Sequence, residues 1–189
     1  MGVPCSWKHV DAEAALRDFL RQPLPRKAAV RDLLTELLSP VPYACRCAAD
    51  LARRVSAREP GILAKYAGVL IDLVGELPAR QWQARGYVAL AAALNASTPA
   101  QRARLTLLVR SMISDSRNAV RGMALEAFAL LAVAEPQLRE EAMVLLERSR
   151  REGTCAMQSR ARRMLPLLLA AENKSVREKR SFGPATAAM

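Results

Sequence analysis

Apolar residues recur along this chain at helical spacing, in runs cut by proline, glycine and short polar turns. Over 26–38, Val30, Leu33, Leu34, Leu37 and Leu38 fall on one face of a helix, and Ser39-Pro40-Val41-Pro42 ends it. A second run over 43–56 carries Ala44, Ala48, Leu51, Ala52 and Val55. The alternation then repeats. Residues 60–76 place Leu63, Ala67, Leu70, Ile71 and Val74 on one face, and 80–94 place Ala84, Val88, Leu90, Ala91, Ala92 and Leu94. Residues 99–113 carry Leu105, Leu108, Val109 and Met112, and 118–133 carry Val120, Met123, Ala124, Ala127, Leu130 and Leu131. The last pair is 136–151, with Leu138, Ala142, Leu145 and Leu146, and 155–170, with Met157, Ala161, Met164, Leu165 and Leu168. Pro166 inside that final run predicts a kink or an early reset. Ahead of the pairs, 10–20 predict a short capping helix with Asp11 as N-cap and Ala14, Ala15, Phe19 and Leu20 inward. Residues 172–189 lose the pattern and read as a mobile tail behind a single domain of 1–171.

The punctuation itself has a period. Pro25, Pro60, Pro99 and Pro136 stand 35, 39 and 37 residues apart, each before or at the start of a first helix. Arg46, Arg85, Arg121 and Arg160 stand 39, 36 and 39 apart, each near the start of a second helix. Two helices per repeat at this period specify an α-solenoid: a helical pair cannot bury both its apolar faces alone, and stacking on the next pair buries the shared one. The expected fold class is all-α, an α-α superhelix of about four pairs, convex on the first helices and concave on the second. Thr98-Pro99-Ala100-Gln101 predicts a capping box with proline at the first helical position.

In Asp115-Ser-Arg-Asn-Ala-Val120-Arg121-Gly-Met-Ala-Leu-Glu-Ala-Phe-Ala-Leu-Leu-Ala the chain resembles HEAT repeats, in which an aspartate marks the turn and a valine–arginine pair opens the second helix. The runs containing Arg46, Arg85 and Arg160 are similar but partial. The resemblance spans roughly 26–170. It implies a structural ladder in which Asp115 and Arg121 pair, with Arg46 at the equivalent place in the first repeat. Some HEAT-like proteins are alkylpurine DNA glycosylases, but no catalytic residue of that group carries over onto this chain.

Charge adds a second layer. The formal net charge is +11, with arginine supplying 24 of the 29 basic residues. Arg148, Arg150, Arg151, Arg160, Arg162 and Arg163 crowd the last intra-pair turn, and Arg117 and Arg121 extend toward them from the preceding repeat. Guanidinium forks suit phosphates and carboxylates. Trp82 and Tyr87, near Arg85 at the start of a second helix, are the aromatic candidates for anchoring a partner.

Chemistry is harder to find. No H-E-x-x-H, Walker or G-x-G-x-x-G motif occurs, and the only histidine is His9. Four cysteines, Cys5, Cys45, Cys47 and Cys155, lack C-x-x-C spacing and read as reduced thiols. No catalytic residue, metal or cofactor is expected, and no run of 18 apolar residues predicts membrane insertion. The expectation is a non-enzymatic, cytoplasmic scaffold for an acidic protein surface. The alternatives are a nucleic-acid-backbone binding module related to the HEAT-like glycosylases, and a purely structural domain of a larger assembly.

Overall fold

The computed structural model describes residues 12–21 and 27–181, with side chains of the last helix as far as 175. His9, Cys5, Pro25 and the N-cap residue Asp11 lie outside the described residues. Nine α-helices and no strand occur among those described: α1 (Ala12–Arg21), α2 (Lys27–Leu37), α3 (Pro42–Arg58), α4 (Ala67–Glu76), α5 (Trp82–Asn95), α6 (Pro99–Ile113), α7 (Asn118–Ala134), α8 (Arg139–Glu152) and α9 (Cys155–Ser181). The fold is an all-α superhelix, as the repeat requires.

The helices form two layers. Each first helix packs on its own second helix, α2 on α3, α4 on α5, α6 on α7 and α8 on α9. The second helices also pack on one another in order, α3 on α5, α5 on α7 and α7 on α9, more extensively than α4 packs on α6. An array whose second layer is the tighter one curves toward that layer. Because α5 and α7 are flanked on both sides and covered by the first layer, they bury residues around most of their circumference, including Val88, Ala89, Ala91 and Ala92 on α5 and Ala124, Ala127, Phe128 and Leu131 on α7. Small side chains make that spacing possible. A Cβ added at Gly86 of α5 would stand 2.4 Å from Cε and 3.3 Å from Cβ of Met123 on α7.

The capping helix takes a more specific place than a terminal cover. α1 packs against α3, so it extends the second layer by one more helix, with Phe19 fully buried. The capping box at Thr98 is present: its hydroxyl accepts from the Gln101 backbone N–H (3.2 Å), and the Gln101 carboxamide accepts from the Thr98 N–H (3.2 Å). Pro60 does not open a helix directly. Gly61, at φ 87°, turns the chain through a left-handed conformation, a 3-10 turn follows at Ala64–Tyr66, and α4 starts only at Ala67. Pro136 likewise opens a 3-10 turn before α8. Leu38, expected inward, is 65% exposed, because α2 ends at Leu37 and the backbone has already left the helical face. At the other end α9 runs through Pro166 without a reset and continues to Ser181, so the loss of apolar pattern at 172 does not end the helix.

Candidate functional site

The periodic arginines do four different jobs. Arg85 donates from Nε to the Val74 carbonyl (2.7 Å), one of the carbonyls left open at the end of α4. Arg160 donates to Glu126 on α7 (3.0 Å), tying the last two second helices together. Arg46 reaches the Gln83 carboxamide on α5 (3.3 Å) and lies over the Tyr43 ring, 5.0 Å from its centroid. Arg121 donates to Asn118 within its own first turn.

The expected Asp115–Arg121 pair is therefore corrected. Asp115 is held by Arg117, through Nε (2.9 Å), Nη2 (3.0 Å) and the backbone N–H (2.8 Å). Arg117 stands just before α7 with extended backbone (φ −84°, ψ 117°), which lays its fork against the turn carboxylate; Arg121, a helical turn further on, is left to Asn118. The third donor of Arg117 crosses to the Ala79 carbonyl (3.0 Å) in the preceding turn, so the inter-repeat tie exists but runs through a different arginine and a backbone oxygen. Arg46 bridges repeats too, but to an amide and not to a turn aspartate.

These turn contacts set an acid limit on stability. The hydrogen bonds from Arg117 hold the Asp115 carboxyl below its ordinary value of 3.8, and the bond from Arg102 on α6, helped by Gln137, holds Glu135 below 4.5. Both groups bind a proton less readily folded than unfolded. Their contribution is present above those ordinary values and is lost as pH falls through the depressed ones. Thermal melts between pH 5 and 2 are expected to fall less steeply in a D115N/E135Q double variant than in the wild type; parallel slopes would show that neither carboxylate is linked to folding.

The crowded last turn is less basic than its count of arginines. Arg148 pairs with Glu152 (3.1 Å), Arg150 with Glu147 (2.8 Å), and Arg160 and Arg163 share Glu126 (3.0 Å each). Arg162 bonds the neutral Gln158 (3.2 Å), and Arg151 makes no ion pair among the described residues. Four of the six guanidiniums thus already face a carboxylate. The exposed pairs among these, such as Arg148 with Glu152, contribute little to stability, but a phosphate must compete with all of them.

Guanidiniums without a carboxylate partner also stand beside a pair of clefts on the second-helix face of the first two pairs. A cleft of about 260 Å³ is bounded by α1, α3 and α5, with Tyr43, Arg46, Asp50, Gln83 and Tyr87 in its wall. A second, of about 250 Å³, continues from it past Tyr43, Arg46 and Gln83 to Arg80 and Gln81. Tyr43, Arg46 and Gln83 border both clefts, so the two lie side by side across α3 and α5 and together are termed the trough. At one end Asp50 is neutralised by Arg53 (2.7 Å) and Arg54 (2.8 Å), and Arg53 also lies 5.5 Å over the Tyr87 ring. At the other end neither Arg46 nor Arg80 has a carboxylate partner among the described residues. Gln81 is 8% exposed there, and its buried amide oxygen accepts no hydrogen bond.

Of the aromatic pair, Tyr87 lines the trough while the half-buried Trp82 packs against the core. Tyr43, Arg80, Gln81 and Gln83 escape a reading by periodicity. The available signal was local: Tyr43 and Arg46 are three apart on one helix, and so share a face. Cys45, Cys47 and Cys155 carry free thiols, and burial pushes that of Cys45 up. No group of three or more metal-ligating side chains occurs among the described residues, and no helix among them is long and apolar enough to cross a membrane. No family model, no curated protein and no solved structure matches this chain.

Proposed function

We propose that the chain is a non-enzymatic binding module, a HEAT-like scaffold whose trough across α3 and α5 receives an extended, acidic segment of a partner protein. The observation that carries this reading is the end of the trough at Arg46, Arg80 and Gln81. Two guanidiniums without carboxylate partners stand beside an amide oxygen that is buried and unbonded. A peptide supplies what all three lack: side-chain carboxylates for the guanidiniums and a backbone N–H for Gln81. Tyr43 and Tyr87 give the trough flat apolar walls, the kind of surface on which interface energy concentrates. Two adjacent clefts bordered by the same side chains suit an extended peptide lying across both better than a compact ligand filling one.

The nucleic-acid alternative draws on the same net charge but finds fewer free cations, since most arginines of the last turn are engaged. The free thiols fit a reducing, cytoplasmic setting.

The test is a random peptide library displayed on phage, selected on the intact chain and counter-selected on an R46A/R80A double variant. Recovered peptides are expected to be rich in Asp and Glu and to bind the variant at least tenfold more weakly, since each hydrogen bond to a charged group contributes about 1.5–3 kcal/mol. Peptides without acidic enrichment, or acidic peptides that bind both proteins alike, would remove the trough from consideration. Duplex DNA titrated across a salt series forms the second arm: tight binding with a steep salt slope would favour the nucleic-acid reading instead.

A further inference from the structure

A cleft of about 350 Å³ lies at the far end of the array, where α6, α7, α8 and α9 meet, and it is separate from the trough. Its polar wall is Arg121, Arg148, Ser149 and Glu152, and its apolar wall is Ile113, Leu125, Leu145 and Met157. It opens at the first turn of α9, since Gly153 and Met157 both border it.

The feature that points to a ligand is Ser149. It is 6% exposed, and its hydroxyl has no hydrogen-bond partner. Four other helical hydroxyls among the described residues, both buried ones included, satisfy themselves by turning back onto their own helix. Ser56 donates to the Ala52 carbonyl (2.7 Å), Thr106 to Arg102 (2.7 Å), Thr35 to Arg31 (3.0 Å) and Ser111 to Leu108 (2.7 Å). Ser149 does not, although it sits in the same kind of helix with the same carbonyls behind it. The turn that follows is built close against it: a Cβ at Gly153 would stand 2.4 Å from the Ser149 carbonyl oxygen and 3.1 Å from its hydroxyl.

The remaining groups define the ligand's charge. Among the described residues Arg121 has only the neutral Asn118 as a partner. Arg148 is held by Glu152 through an exposed contact (3.1 Å) that a competing anion can displace. The cleft borders the start of α9, where helix polarity adds a partial positive charge. Two guanidiniums and one carboxylate leave a net side-chain charge of one positive unit (2 − 1 = +1), which matches a monoanion better than a phosphate dianion. Half of the wall is aliphatic or thioether, which a bare inorganic ion leaves unfilled.

We propose that this cleft binds a monocarboxylate carried on an apolar body. The carboxylate faces Arg121, Arg148 and the Ser149 hydroxyl, and the body lies along Ile113, Leu125, Leu145 and Met157. Free aliphatic acids and the C-terminal carboxylate of a peptide ending in an apolar residue share this chemistry.

Calorimetric titration of the intact chain tests it with five probes: octanoate, octanol, inorganic phosphate, and a tripeptide ending in leucine both as the acid and as the amide. Saturable binding of octanoate or of the peptide acid is expected, with octanol, phosphate and the amide at least tenfold weaker. The tighter of the two acids names the source. S149A is expected to bind the acid about tenfold more weakly while melting no lower than the wild type, because it deletes an unpaired buried hydroxyl. R121A should weaken binding by a similar factor. The proposal fails if neither acid binds saturably, if octanol matches octanoate, if phosphate binds tighter than both acids, or if S149A retains wild-type affinity.

Discussion

Replacing Asn95 with leucine is expected to lower the stability of the array by about 3 kcal/mol, although the new side chain has the same number of heavy atoms and the same branching. Asn95 is 3% exposed at the last turn of α5. Its Oδ1 accepts the backbone N–H of Leu63 (3.2 Å), in the irregular stretch that precedes α4. Its Nδ2 donates both to the Ser56 hydroxyl on α3 (2.8 Å) and to the Ala91 carbonyl on its own helix (2.8 Å). Ser56 in turn donates to Ala52 (2.7 Å). One carboxamide thus fastens α3, α5 and the turn that Gly61 creates. Leucine would leave the buried Leu63 N–H without an acceptor, and an unpaired buried donor loses its hydration with nothing in return. Ser56, which keeps its bond to Ala52, should matter less, about 1 kcal/mol for S56A.

Asn95→Asp separates hydrogen bonding from volume. The carboxylate keeps an acceptor for Leu63 but turns an oxygen toward the Ala91 carbonyl, acceptor against acceptor. Burial and that repulsion raise the new carboxyl's pKa above its unfolded value, so the folded form holds its proton more firmly. The variant is expected to be strongly destabilised at pH 7 and to recover relative to wild type as pH falls toward 5, since the protonated acid can donate. Urea unfolding at the two pH values reads this directly. Equal deficits at both would mean that shape, and not the donor–acceptor pattern, is what Asn95 provides.

Asn95 also marks where sequence reading stops. The helices, their pairing and most inward positions were legible because each rests on a local signal: a 3.6-residue apolar period, a proline or a capping box. The Thr98–Gln101 box lies within four residues and was readable in full. Asn95 carries no local signal of its role, because its partners lie 32 and 39 residues away and depend on how neighbouring pairs are rotated. The same dependence explains the arginines. Their period was visible, yet whether Arg85 would meet Val74 within its own pair and Arg160 meet Glu126 in the preceding one, while Arg46 kept no carboxylate, is decided by side-chain reach between helices. A count of arginines pointed to the last turn, where Glu126, Glu147 and Glu152 had already claimed most of them. The candidate trough emerges only when the paired charges are removed. Its Arg80 and Gln81 sit in a 3-10 turn outside any apolar period.

Gly86→Leu is the second change expected to cost about 3 kcal/mol, and its origin is the opposite one, too much volume where two helices meet. α5 and α7 pack tightly beside Gly86, where even a single methyl would meet Met123 Cε at 2.4 Å, Sδ at 2.7 Å and Cβ at 3.3 Å. The thioether end can swing aside, but Met123 is itself 3% exposed and has little space to swing into; its Cβ cannot move without the helix. Gly86→Ala should therefore be far milder than Gly86→Leu, because the helix propensity gained by alanine, about 1 kcal/mol, offsets part of the displacement. Met123→Ala opens the facing space, so the G86L/M123A double variant is expected to be more stable than the sum of the single changes by about 1–2 kcal/mol. Gly68→Ala on α4, where an added methyl meets nothing within 4 Å, supplies the reference for propensity alone. Denaturant midpoints for this series test the spacing of the second layer: additive effects in the double variant, or a G86L chain as stable as G86A, would mean that α5 and α7 do not meet at this glycine. Because Tyr87 follows Gly86 into the trough while Gly86 itself faces α7, a loss of peptide binding in G86L with the trough's own side chains untouched would tie the curvature of the second layer to recognition.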